Sequence, residues 1–118
     1  PYDTFPVQFK DRNLYKHNPT VTLMRTNVEE VTKIAEKLAE KWNAAETEME
    51  LLLPLKGVSM IDADGQPFEG KEEDRVLFEL LKAQITNPKV KITELDNNIN
   101  DKEFAIAAAD KLIALMNA

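Results

Sequence analysis

Residues 20–30 read T-V-T-L-M-R-T-N-V-E-E, and the pattern changes halfway. Thr20 to Met24 is β-branched and apolar, which predicts a buried strand. From Val28 onward Val28, Val31, Ala35, Leu38 and Trp42 recur on one stripe of a helix. Thr26 stands three residues before Glu29, the spacing of a capping box. In that motif the hydroxyl and the carboxylate each satisfy an open backbone N–H of the first turn. A strand that runs straight into a helix is the repeating unit of α/β folds. It also delivers Arg25 and Thr26 to the strand's carboxyl end.

The unit recurs along the chain. Met49 to Leu53 reads as a second strand, followed by a long loop to Phe68. Asp64-Gly65 predicts the tip of a small hairpin between residues 58–61 and 66–68. A helix follows from Lys71, with Val76, Leu77, Leu80, Leu81 and Ile85 turned inward and Pro88 ending any continuation. Val90 to Leu95 reads as a third strand. A last helix runs from Asp101 to Met116, with Phe104, Ala105, Ala108, Leu112, Leu115 and Met116 as its apolar stripe. Asn100 is placed to cap it, answered by Glu103. Phe5, Val7 and Phe9 alternate with other residues and suggest an extended arm.

The expected architecture is α/β: a small three-layer domain with three helices. Its short, mainly parallel sheet has about three strands plus the N-terminal extended arm. Residues 1–16 form the arm and connector, and residues 17–118 the domain. Because the chain begins with Pro1 and not Met, it reads as processed or cut from something longer. So narrow a sheet needs an edge covered, by the arm, by more of the parent chain or by a second copy. A homo-oligomer is therefore expected.

Fifteen basic and twenty-one acidic residues give a net charge of −6. That disfavours a nucleic-acid partner, whose binding depends on clustered Lys and Arg. The basic residues alternate with acids, as in Lys33-Glu36-Lys37-Glu40-Lys41, in the manner of a solvated helix face. The absence of cysteine excludes disulfides and thiolate sites. With no membrane-length apolar run and no signal peptide, a cytoplasmic location and no membrane partner are expected.

Ligands of open parallel sheets bind beyond the carboxyl ends of the strands. The candidates there are Arg25 and Thr26, then Lys56, Gly57, Ser59 and Asp62, then Asn98, Asn100 and Asp101. Basic side chains beside helix N-termini would favour a small anion. No metal set is expected. His17, the sole histidine, stands beside Asn-Pro and reads as a turn residue with no dyad partner. Gly57-Val58-Ser59 lacks the second glycine of a nucleophile elbow. Lys56-Gly57 inverts the order of a phosphate loop. Asp62-Ala63-Asp64-Gly65 brings its glycine two positions too early for a calcium loop.

Three segments in order carry a resemblance from about Leu14 to Met116. They are H-N-P-T-V-T-L-M-R-T, L-P-L-K-G-V-S-M-I-D-A-D-G-Q-P-F and I-N-D-K-E-F-A. They resemble the C-terminal portion of uncharacterised protein family 0261, which includes the N-terminal region of the tomato mosaic virus resistance protein. The resemblance implies a longer chain of two consecutive α/β domains, of which this is the last piece. It also implies an ATP-binding label, so ATP is possible for the full-length member. In the plant member it implies inhibition of viral RNA replication by binding the replication protein. The recurrent positions of the family are His17, Asn18, Arg25, Thr26, Gly57, Ser59, Asp62, Gly65, Asn100 and Asp101. One departure is visible. The family's His-Ile-Asn-Asp-Pro is replaced by Asn98-Ile99-Asn100-Asp101-Lys102, which removes a titratable ring and leaves a hydrogen-bonding amide.

The functional expectation is a ligand-binding or assembly module that works with an N-terminal nucleotide-binding half of the parent chain. The alternative is a small-molecule enzyme, of hydrolase or lyase type. Its site would lie at the strand carboxyl ends, with His17 and Asp62 or Asp101 as acid and base.

Overall fold

The computed structural model describes all 118 residues. An antiparallel hairpin comes first: β1 (Leu14–Asn18) and β2 (Val21–Met24), with Leu14 opposite Met24 and Lys16 opposite Thr22. Asn18 makes its turn. The side-chain oxygen accepts the backbone N–H of Thr20 at 2.9 Å, while Pro19 restricts φ. The chain therefore doubles back, and the T-V-T-L-M run pairs with the residues just before it. This corrects the expectation of a buried parallel strand, because Val21 and Leu23 are exposed. The expected arm is also different. Tyr2–Thr4 and Val7–Phe9 are single 3-10 turns, and the Phe5 and Phe9 rings meet edge to face at 6.4 Å.

Helix α1 (Val28–Asn43) starts one residue later than the Thr26–Glu29 spacing suggests. Asn27 is the cap: its side chain accepts the Glu30 N–H at 2.9 Å, and Glu30 accepts the Asn27 N–H at 3.1 Å. Asn27→Ala is expected to cost about 0.5–2 kcal/mol, read as a lower midpoint in urea unfolding. An unchanged midpoint would show that the reciprocal pair contributes nothing.

A β-α-β-α unit follows, made of β3 (Met49–Pro54), α2 (Lys71–Gln84), β4 (Val90–Leu95) and α3 (Lys102–Met116). Strands β3 and β4 are parallel and in register from Met49 opposite Val90 to Pro54 opposite Leu95. Alternation along a strand separates the two faces of this pair. Met49, Leu51, Leu53, Val90 and Ile92 face a core built from Ala35 and Ala39 of α1 and Phe78, Leu81 and Ile85 beyond them. On the opposite face Glu50 approaches Lys111 of α3 at 3.8 Å. The layers are therefore α1 and α2, the strand pair, and α3. The protein is a small α/β domain with three helices, and its strands form one parallel and one antiparallel pair.

Two further expectations change. The 58–68 loop forms no hairpin. It holds a 3-10 turn at Met60–Asp62, and the Phe68 N–H reaches the Ile61 carbonyl at 2.8 Å. The inward stripe of α3 is Phe104, with Ala107, Lys111 and Leu115 half-buried, whereas Ala105, Ala108, Leu112 and Met116 are exposed. Asp101, not Asn100, is the N-cap residue of this helix, and its side chain makes no capping bond.

Candidate functional site

The two parallel strands end together at Pro54 and Leu95, so the loops after them lie side by side. Asn98 staples these loops. Its side-chain N–H donates to the carbonyls of Ser59 at 2.9 Å and Lys56 at 3.3 Å. Its side-chain oxygen accepts the Asn100 N–H at 2.9 Å, and its own backbone N–H donates to Asp101 at 2.9 Å. Gly57 permits the close approach. At φ 130° it occupies a conformation that L side chains rarely adopt. A Cβ there would lie 2.6 Å from the Asn98 Nδ2 and 2.9 Å from the Asp62 carbonyl oxygen.

Behind this staple sits a buried charge cluster. The Arg25 Nη2 donates to Asp62 and to Asp74, each at 2.9 Å, and its Nε donates to the Phe68 carbonyl at 3.0 Å. Asp62 is saturated: it also accepts the Gly70 N–H at 3.0 Å and the Val58 N–H at 2.8 Å. Arg25 thus ties the β2–α1 junction to the loop after β3 and to the first turn of α2. Thr26 supports it by accepting from Nη1 at 3.2 Å.

One guanidinium between two carboxyls leaves a proton to be settled. Burial first, then the neighbouring Asp62 carboxyl, push the Asp74 carboxyl up from 3.8 to about 7, against the opposing pull of Arg25. An acid whose folded pKa is raised binds its proton more tightly folded than unfolded, so stability falls as pH rises. The Asp74 contribution is fully present below about pH 4 and is lost as pH climbs toward about 7. Asp74→Asn is expected to flatten that stretch of the stability profile, measured by urea unfolding across the interval. An unchanged slope would move the proton elsewhere.

A cleft of about 420 Å³ opens over this cluster, with Asp62 and Asp74 in its lining and Lys56, Lys71, Arg75 and Phe78 around them. Its cations are mostly shared. Lys71 lies 3.4 Å from Asp64 and 3.3 Å from Glu69, and Lys56 lies 3.7 Å from Asp96. Arg75 has no carboxylate within 4.0 Å. A smaller hollow of about 260 Å³ lies at the start of α1 beside Arg12 and Arg25. Arg12 is engaged there, donating to the Arg25 carbonyl at 2.7 Å and pairing with Glu30.

The structure brings most of the expected residues to one end of the strand pair. Arg25 meets Asp62, Lys56 and Asp62 share the cleft, and Gly57, Ser59, Asn98, Asn100 and Asp101 form the staple beside it. Arg25 itself is spent on internal partners. Asp74 and Arg75 were not among the expected residues. The available signal was Asp74 itself, a charge that completes the buried stripe Asp74-Phe78-Leu81-Ile85 at helical spacing. His17 lies exposed on β1, its ring 6.3 Å from that of Tyr15, and takes no part in the cleft.

Together, fold and cleft define a small α/β domain with a polar pocket beyond the carboxyl ends of its parallel strands. Comparison with known sequences then places it. The chain belongs to the family described as Uncharacterised protein family (UPF0261) C-terminal domain, whose model matches residues 1–116. A UPF0261 protein of Clostridium tetani is 56% identical over 116 residues, covering 98% of this chain and 29% of the relative. One from Mesorhizobium japonicum is 40% identical over 107 residues, 90% of this chain and 27% of the relative. The ToMV resistance protein Tm-1(GCR237) of Solanum lycopersicum is 38% identical over 116 residues, 98% of this chain and 15% of the relative. The chain therefore spans less than a third of the length of these relatives. No helix is long and apolar enough to cross a membrane.

Proposed function

We propose that this domain is a cytoplasmic ligand-binding module whose site is the cleft above β3 and β4. The carrying observation is Arg75: it lines the cleft of about 420 Å³ and has no carboxylate partner. The volume falls within the roughly 300–1,000 Å³ of small-molecule sites. The position is where open parallel sheets bind ligands. In this reading Arg75 holds an anionic group, Lys56 and Lys71 flank it, and protonated Asp74 offers a hydrogen-bond donor. Carboxyl groups outnumber cations in the lining, so a free polyphosphate is disfavoured unless a divalent cation accompanies it. That suits work beside a nucleotide-binding half of a longer chain, with ATP as the nucleotide to try first.

Isothermal titration tests this with inorganic phosphate, small carboxylates, and ATP with and without Mg²⁺. Binding by at least one of these is expected, and Arg75→Ala is expected to weaken it tenfold or more. Affinity unchanged by the substitution would remove the cleft from the site.

One observation favours an enzymatic second reading. A carboxyl that titrates near 7 beside a second carboxyl, in a cleft, is suited to proton transfer in a hydrolase or lyase. Asp74 would then be the acid or base. Turnover that survives Asp74→Asn would rule it out.

A further inference from the structure

We propose that the cleft takes an α-amino acid with an apolar side chain. Its carboxylate lies on Arg75, its ammonium against Glu79 and Glu94, and its side chain over Leu55. This assignment rests on Arg75 being the anion site, and it adds the second charge that the ligand brings.

The charges of the lining set this class. Six of its residues are acids and three are bases. The six acids fall into three pairs, and each pair shares one cation. Asp62 and Asp74 share Arg25, Asp64 and Glu69 share Lys71, and Glu79 and Glu94 share Lys82. Two carboxylates around one cation leave a negative charge in excess. At the Arg25 pair a proton on Asp74 takes up that excess, because burial pushes its carboxyl up to about 7. The other two pairs keep theirs. Lys71 and Glu79 stand one turn before and one turn after Arg75 on α2, so a bare anion there meets excess negative charge from both directions. The carboxyl groups nowhere form a set of three that could hold a metal ion. The compensating positive charge therefore belongs on the ligand.

Of the two charged pairs, Glu79 and Glu94 are the more enclosed. Their shared Lys82 is 34% exposed and Glu94 42%, against 76% for Lys71 and 79% for Asp64. An ammonium is screened less by water there than beside Lys71. Glu79 also follows Arg75 by four residues, on the same face of α2. The two nevertheless do not pair: Glu79 turns to Lys82 at 2.8 Å, and Arg75 is left without a carboxylate. A guanidinium and a carboxylate one helical turn apart, unpaired with each other, leave room for a molecule that joins them. In an α-amino acid a single carbon separates the carboxylate from the ammonium, a span suited to neighbours on one helix face. The two apolar residues of the lining are Phe78, which is buried, and Leu55, which is 41% exposed. A ligand side chain that covers Leu55 gains from its burial.

Isothermal titration of the protein compares L-leucine with 4-methylpentanoate, which has the same carboxylate and branched chain and lacks only the amino group. Leucine is expected to bind about tenfold more tightly, or better, through a charge-assisted hydrogen bond. Glycine, which lacks the side chain, is expected to bind more weakly than leucine; equal binding would remove Leu55 from the site. Glu79→Gln combined with Glu94→Gln is expected to weaken leucine and to tighten 4-methylpentanoate. Loss of both ligands in that variant would report misfolding, and the ratio on the unmodified protein then decides. A leucine preference that survives the double substitution would overturn the proposal. Leucine no tighter than 4-methylpentanoate, or phosphate bound through Arg75 while leucine is not, would overturn it and leave the anion site standing. Probes that do not bind, or that bind unchanged in Arg75→Ala, would take that site away as well.

Discussion

Arg25→Ala is expected to lower the unfolding free energy by about 3–5 kcal/mol at pH 7. Its two carboxylate partners, Asp62 and Asp74, have side chains only 1% and 10% exposed, and Arg25 itself is 11% exposed. Removing the cation leaves the buried Asp62 carboxylate without its ion-pair partner. The contrast is the pair Lys33–Glu29 on α1, whose side chains are 72% and 77% exposed. Such a helical surface pair is worth about 0.3–0.5 kcal/mol. Arg25→Lys should recover only part of the loss. An ammonium keeps the charge but cannot address two carboxylates and the Phe68 carbonyl in the geometry of the guanidinium fork. Urea unfolding of the three proteins gives the comparison. A loss below about 1 kcal/mol for Arg25→Ala would mean that the cluster is open to solvent, as exposed pairs are.

The second large effect is expected at Leu53. It is 2% exposed and sits in the core among Ala35, Ala39, Phe78 and Leu81. Leu53→Ala is expected to cost about 2–5 kcal/mol, combining lost burial with the cavity left behind. The alanines opposite have little reach to fill that space, which argues for the upper part of the range. Leu53 is also next to Pro54, the last residue of β3 and the base of the cleft loop. The substitution should therefore loosen the Asn98 staple as well. Faster amide exchange at Ile99, whose N–H donates to the Gly57 carbonyl at 3.0 Å, would register that loosening. Stability lost without any change at Ile99 would separate core from cleft.

What could be read in the sequence depended on how local the cause was. β3, β4, α1, α2 and α3 lie close to their expected positions because period and length identify long regular segments. The hairpin was missed because it hangs on one side chain. Asn18 captures the Thr20 N–H, and an apolar run with no helical period cannot itself say which neighbour it will pair with. The cap moved from Thr26 to Asn27 because both positions have a glutamate three residues on, and only packing chooses between them. The site divides in the same way. Arg25 and Asp62 stood out as polar residues at strand ends. Their contact across 37 positions of sequence could not be read without the fold. Asp74 was legible only as an intruder on an apolar stripe, a sign that carries meaning once its neighbours are known.

The Asp74 carboxyl on the cleft floor holds its proton toward neutrality, where a ligand in the cleft can reach it. The direct measurement is an NMR pH titration of the Asp74 side-chain carboxyl carbon, with Arg25→Lys as a second sample. The expected midpoint is about 7, well above the 3.8 of a free aspartate. It should shift in Arg25→Lys, since the guanidinium is one of the groups that sets it. A midpoint in the ordinary carboxylate range, unmoved by that substitution, would contradict the account. The cluster would then be a static ion pair with no proton to offer a ligand.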